Sequence, residues 1–109
     1  MSVNKCIFIG HLGADAEVKF LDGGIAVANF SIACTEKWTD KQNQKQEKTE
    51  WINCVAWKGL AEVAEKYFKK GMHLYVEGKY TTEEYTKDNE KRYATKIKCT
   101  NIQMLGKKE

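Results

Sequence analysis

An all-β barrel carrying a single helix is what the sequence predicts, on three observations. Apolar residues alternate with period two through most of its 109 residues. Over residues 60–71 alone, the spacing changes to that of an amphipathic helix. Short polar or glycine-containing stretches separate the runs, and glycines do most of this work because the chain has no proline.

The first strand is NKCIFIGHLG, loosened at its end by Gly10 and Gly13. AEVKFLDGG is a short strand running into a turn at Asp22-Gly23-Gly24. IAVANFSIACTEKW is the second long strand, in which Ala26, Ala28, Phe30, Ile32 and Cys34 alternate with Val27, Asn29, Ser31 and Thr35. The stretch TDKQNQKQEKT has no aliphatic or aromatic member. Strand pattern resumes at once after it, so it is expected to be a long hairpin loop at about 39–49 that could fold over a ligand. EWINCVAW is the third strand. It puts Trp51, Asn53, Val55 and Trp57 on one face and Ile52, Cys54 and Ala56 on the other, core-facing side.

In LAEVAEKYFKKG, Leu60, Val63, Ala64, Tyr67 and Phe68 share a helical face, Glu62 can reach Lys66, and Glu65 can reach Lys69. Two lysines and Gly71 are expected to close this helix. HLYVEGKYTTEEYT returns to strand, with Leu74, Val76 and Tyr80 on one side. KDNEK is a turn. In the last strand, RYATKIKC, Tyr93, Thr95, Ile97 and Cys99 alternate against Lys96 and Lys98. Three strands, a helix and two strands are the layout of an OB-fold, a five-stranded Greek-key barrel with one helix between strands 3 and 4. Another small barrel or an α+β sandwich would also fit this order. Residues 1–109 are expected to form one domain.

Composition narrows the class without naming a function. With 42% hydrophobic and 30% charged residues, the chain is an ordinary folded domain rather than a disordered one. A net charge of +3 is compatible with a nucleic-acid partner and does not by itself argue for one. No apolar run approaches the roughly 20 residues of a membrane span. The apolar burst near the N-terminus is too short for a secretory signal, so a cytoplasmic protein without membrane contact is expected. Cys6, Cys34, Cys54 and Cys99 are widely spaced in strand-like runs and are expected to be reduced core thiols. His11 and His73 stand alone, so no metal site or cofactor is expected. No metal-ligand spacing, paired-carboxylate site, nucleophile elbow or phosphate loop is present, which argues against an enzyme and for no catalytic residues.

The aromatic residues carry more information. Trp51 and Trp57 lie on one strand face, about 20 Å apart at the rise of a β-strand. Trp38 closes the second strand, and Tyr85 ends the fourth on the side away from Leu74 and Val76. Lys37, Lys41, Lys58 and Lys79 flank them. Rings set among cations suit single-stranded nucleic acid: bases stack on the rings at about 1–3 kcal/mol each, and lysines neutralise phosphates. Packing of the same rings against another subunit is an equally good reading of the pattern.

Four ordered blocks then carry a resemblance. NKCIFIGHLGADAEVKF, GGIAVANFSIACTEKW, TEWINCVAWKGLAEVAEKYFKKGMHLYVEGK and KRYATKIKCTNIQMLG, together spanning residues 4–106, resemble the homotetrameric OB-fold family of bacterial single-stranded DNA-binding proteins. The resemblance implies sequence-independent binding and protection of single-stranded DNA in replication, recombination and repair, in the bacterial cytoplasm with the nucleoid. It implies stacking on Trp38, Trp51, Trp57 and Tyr85, and phosphate contacts at Lys5, Lys19, Lys41 and Lys70. It also implies a homotetramer whose subunit interface includes the first strand, Ile52, His73, Tyr75 and Gln103.

The departures from the family are specific. Ala16 stands where the family usually has proline. Asn53, on the DNA face, stands where a basic residue is common. Thr81, Glu83 and Glu84 occupy an often basic stretch, which implies a less cationic groove. Ile52 replaces a frequent interface histidine. The sequence stops at QMLGKKE, without the family's linker and acidic, phenylalanine-ended tail, which implies weak or absent tail-dependent recruitment of replication and repair enzymes. Two alternatives share the fold: a dimeric primosomal replication protein, which generally lacks the full aromatic set and the Q-M-L-G ending, and an RNA-binding module.

Overall fold

The computed structural model describes residues 1–106. Its elements are β1 (Cys6–Leu12), β2 (Glu17–Leu21), β3 (Ile25–Thr39), β4 (Lys45–Trp57), α1 (Gly59–Tyr67), β5 (His73–Lys87) and β6 (Glu90–Leu105). The strands run in the order β1-β5-β6-β4-β3-β2, and β1 pairs with β3 as well. That extra pairing closes β1, β5, β6, β4 and β3 into the expected five-stranded barrel, with the short β2 attached to β3. Every pairing is antiparallel except β4–β6, which is parallel at Cys54↔Ile97 and Val55↔Lys98. A parallel pair cannot be joined by a hairpin. Here α1 and β5 form the crossover.

The core follows from the alternation. β3 contributes Ala26, Ala28, Phe30 and Ile32, β4 gives Cys54 and Ala56, β5 gives Leu74 and Val76, and β6 gives Ile97 and Cys99. α1 adds Ala61 and Ala64. Phe68, directly after the helix, meets Phe30 edge to face at 5.4 Å.

The helix is shorter than its spacing predicts. It ends at Tyr67, and Phe68 is already extended, its N–H bonded to Ala64 O at 3.0 Å. Burying the Phe68 ring in the core takes the chain out of the helix. Gly71, at φ +90°, then turns it back. Gly71 N donates to Leu12 O and Leu12 N to Met72 O, both at 2.8 Å. Lys69 and Lys70 therefore sit in this return turn rather than in a helical last turn.

The stretch expected to be a long loop at about 39–49 is mostly strand. Pairing of β3 with β4 continues to Thr39↔Lys45 and leaves only Asp40–Gln44 as turn. Lack of apolar residues did not mean lack of strand. Opposite charges face each other at Glu36↔Lys48 and Lys37↔Glu47, which supports a two-stranded ribbon without a core beneath it. Asp40 locks the turn: its Oδ1 accepts from Gln42 N and Gln44 N at 2.9 Å, and its Oδ2 from Gln46 Nε2 at 3.0 Å.

A second ribbon is formed by β5 and β6, which pair to Lys87↔Glu90. Its two-residue turn, Asp88-Asn89, has φ of +54° and +63°, as a type I′ hairpin requires. Tyr80 and Tyr93, expected to share a strand side with core residues, lie on or near this ribbon and are exposed. The ribbons account for a radius of gyration of 16.2 Å, against about 13 Å for a compact domain of this length.

All four cysteines are free; Cys54 and Cys99 are buried, Cys6 and Cys34 half-buried. A hydrogen bond with the Cys99 thiol, and then burial, push the Cys54 thiol up in pKa, so it packs as a small protonated group.

Candidate nucleic-acid interface

Registered residues on neighbouring strands share a face. Following the register from β2 to β5 therefore traces one outward surface. Lys19 pairs with Val27, and Val27 with Trp57. Glu17 pairs with Asn29, Asn29 with Val55, and Val55 with Lys98. Lys98 pairs with Lys79, Lys96 with Thr81, and Arg92 with Tyr85. Trp51, Asn53 and Trp57 lie on this surface through β4. The parallel β4–β6 pairing joins them to Tyr85.

The surface is polar where it is not aromatic, and its polar groups are tied together. Ser31 Oγ donates to Asn53 Oδ1 at 2.8 Å. Lys96 Nζ donates to Asn29 Oδ1 at 3.1 Å and pairs with Glu83 Oε2 at 3.4 Å. Both asparagines accept through Oδ1, which leaves their Nδ2 donors directed elsewhere. Val27 and Val55 share the face but are buried. A concavity of about 630 Å³ is lined by Asp15, Lys19, Asn29, Trp51, Asn53 and Lys96. Gly13 also lines it, and a Cβ built on Gly13 would run into the Trp51 ring. The missing side chain is what lets the indole lie against the β1–β2 connection.

The expected stacking residues are all accessible: Trp38 is 47%, Trp51 57%, Trp57 38% and Tyr85 46% exposed. Three of them share the surface just traced; Trp38 does not. It pairs with Gln46, an odd number of residues from Trp51 along β4, so it projects from the reverse side of the β3–β4 ribbon.

The expected phosphate-contacting lysines are scattered. Lys19 is on the traced surface. Lys41 is in the ribbon turn. Lys70 follows the helix, and its N–H donates to Asp15 Oδ1 at 2.8 Å. Lys5 is held by Glu77 at 3.2 Å. That contact, with a hydrogen bond from Tyr75 Oη at 3.0 Å, keeps the Glu77 carboxyl below the usual carboxylate range. Lys96, Lys98 and Arg92 are on the surface and were not singled out from the sequence. Their signal was the alternation of Lys96 and Lys98 against Ile97 and Cys99.

The residues expected at a subunit interface divide likewise. His73, Tyr75 and Gln103 lie together, with Tyr75 paired to Gln103 and to Ile9 of β1. Ile7 and Ile9 on the same patch are about half exposed. Ile52 is elsewhere. It pairs with Ile32 and packs, partly buried, against the edge of the core. His11 and His73, read from the sequence as standing alone, are brought face to face. Among the described residues, no three His, Cys, Asp or Glu side chains converge on a common point. No helix among them is long and apolar enough to cross a membrane. The sequence ending that bore on tail-dependent partners, residues 107–109, lies outside the described residues.

A family model described as "Single-strand binding protein family" matches residues 3–105. A protein of Chlorobaculum tepidum, "Single-stranded DNA-binding protein 1", is 43% identical over 98% of this chain and 67% of its own length. The "Single-stranded DNA-binding protein" of Neisseria meningitidis serogroup A is 45% identical over 97% of this chain, which spans only 62% of that relative. Among solved structures, a Plasmodium falciparum SSB in complex with ssDNA superposes with a TM-score of 0.87 at 31% identity, covering 97% of both chains.

Proposed function

The chain belongs to the single-strand binding protein family, and from that membership we propose that it binds and protects single-stranded DNA during replication, recombination and repair. Bases stack on Trp51, Trp57 and Tyr85, and Lys19, Lys79, Lys96 and Lys98 meet phosphates between them. Trp38 and Lys41 extend the path onto the reverse side of the β3–β4 ribbon. Stacking uses a π-face that every base has, so sequence matters little, and an intact duplex, which keeps those faces in its own stack, binds poorly. Protein of this kind acts where single strands arise, in the bacterial cytoplasm with the nucleoid.

The observation that carries this reading is the continuous outward surface on which three aromatic platforms alternate with cations across four strands. The test is a tryptophan-fluorescence titration with poly(dT) at several salt concentrations. Strong quenching and a log–log salt slope near −0.7 per neutralised phosphate are expected. Equal affinity for a blunt hairpin without single-stranded region would overturn the mechanism.

The patch of Ile7, Ile9, His73, Tyr75 and Gln103 serves a homotetramer in this reading. Its support is two half-exposed isoleucines on a strand whose Cys6–Gly10 edge away from β5 has no partner strand among the described residues. Sedimentation equilibrium decides it: a mass of four chains is expected, whereas two chains would favour the primosomal relative.

A further inference from the structure

His11 and His73 are the only histidines of the chain, and they are Cα partners across β1 and β5. Leu12 N donates to Met72 O and Leu12 O accepts from Gly71 N, both at 2.8 Å, so Leu12 makes its two bonds to the 71–72 turn, one residue beyond the histidines. His11 and His73 are therefore the adjacent non-hydrogen-bonded pair, the arrangement in which opposed side chains come closest. Their rings stack with centroids 4.3 Å apart and planes 5° from parallel. The polar contacts nearby engage other groups: Lys69 N bonds Met72 Sδ, and Tyr75 Oη bonds Glu77. A cavity of about 730 Å³ opens on the pair, with Gly71, Met72, Met104 and Leu105 as its other main walls and no charged side chain among its described lining.

We propose that His11 and His73 form a chelating site for a borderline divalent transition-metal ion of the Ni²⁺, Zn²⁺ and Cu²⁺ class. Imidazole nitrogen is a preferred ligand of these ions, whereas Mg²⁺ and Ca²⁺ need oxygen donors that this cavity lacks. Two nitrogens bound tetrahedrally to one ion stand about 3.3 Å apart, from metal–nitrogen bonds of about 2.05 Å. The ring spacing is one ångström greater, and the lone pairs of parallel rings do not converge. Binding therefore needs each imidazole to turn about its Cβ–Cγ bond. Within the subunit His11 is exposed and His73 faces the cavity, so neither is wedged, and the site requires the tetramer contact proposed for the His73 patch to leave this cavity open. Water fills the remaining coordination positions. The backbone register supplies the chelate: once one ring holds the ion, the second meets it intramolecularly.

The test uses the assembled full chain with Ni²⁺, which does not oxidise the four free thiols. Both histidine ring resonances should broaden together at substoichiometric Ni²⁺ in a heteronuclear NMR spectrum, where only two imidazoles can appear. Calorimetry should give one Ni²⁺ per chain. His11→Asn and His73→Gln should each weaken binding by about a hundredfold, the order of gain expected when a second site becomes intramolecular. The double variant should be little worse than either single one. Binding that survives both substitutions, or that broadens neither ring, overturns the proposal and points to the thiols instead. Failure of the assembled protein to bind Ni²⁺ at all also overturns it, and means that a neighbouring copy covers the pair.

Discussion

Trp51 shows how much one residue's role depends on its neighbours. Its strand face was legible from WINCVAW, because alternation alone separates Trp51 and Trp57 from Cys54 and Ala56. What the alternation could not show is that Gly13, far away in sequence, vacates the space in which the indole lies. Nor could it show that Val55, on the same face, is buried while its neighbours are exposed. Replacing Trp51 with alanine should cost about 1–3 kcal/mol of DNA binding, or roughly five- to 150-fold, with the fold retained. Gly13→Ala should displace the ring and reproduce part of that loss. The double variant should be no weaker than Trp51→Ala alone, since both act through one ring. Additive losses in fluorescence titrations would mean that Gly13 contributes by another route.

The elements were legible where a core lies beneath them and less so where none does. The strands of the barrel follow period two because one side is buried. The β3–β4 ribbon has water on both sides beyond the barrel, so its pairing is recorded only in facing charges and in Asp40. Hydrogen bonds from Gln44 N, Gln46 Nε2 and Gln42 N to the Asp40 carboxylate hold its pKa below the ordinary 3.8. A carboxyl whose folded value is depressed stabilises the folded turn above its unfolded value. That contribution fades as pH falls from about 3.8 through the lower folded value. Amide exchange at Gln42 and Gln44 should accordingly speed up in this acid window relative to exchange in the barrel. Asp40→Asn should show faster exchange already at neutral pH. Unchanged exchange at both amides in the variant would show that the turn holds without the carboxylate. Trp38, beside this turn, makes its order relevant to the reverse side of the proposed DNA path.

At the scale of the whole molecule, the site exists because β4 and β6 pair in parallel. No local pattern encodes that register, and without it Tyr85 has no spatial relation to Trp51. The irregularity at Glu77/Gly78 is equally silent in the sequence. It inserts one residue, Thr100, so that the exposed face of β6 passes from Lys96 and Lys98 to Asn101 and Gln103 and stays in register with Lys79, Glu77 and Tyr75 of β5. Glu83 lies on the traced surface, paired with Lys96 at 3.4 Å. Glu84 lies on the reverse side, paired with Lys91 at 3.7 Å. Removing either carboxylate changes net charge equally, but only Glu83 competes with phosphate for a surface lysine. Glu83→Gln should free Lys96, raise affinity for poly(dT) at low salt, and steepen the log–log salt slope by about 0.7, the increment for one more neutralised phosphate on a single strand. The gain should shrink as salt rises. Glu84→Gln should leave the slope unchanged. If the two variants steepen it alike, long-range charge rather than this face governs binding, and the traced surface is not the path of the DNA.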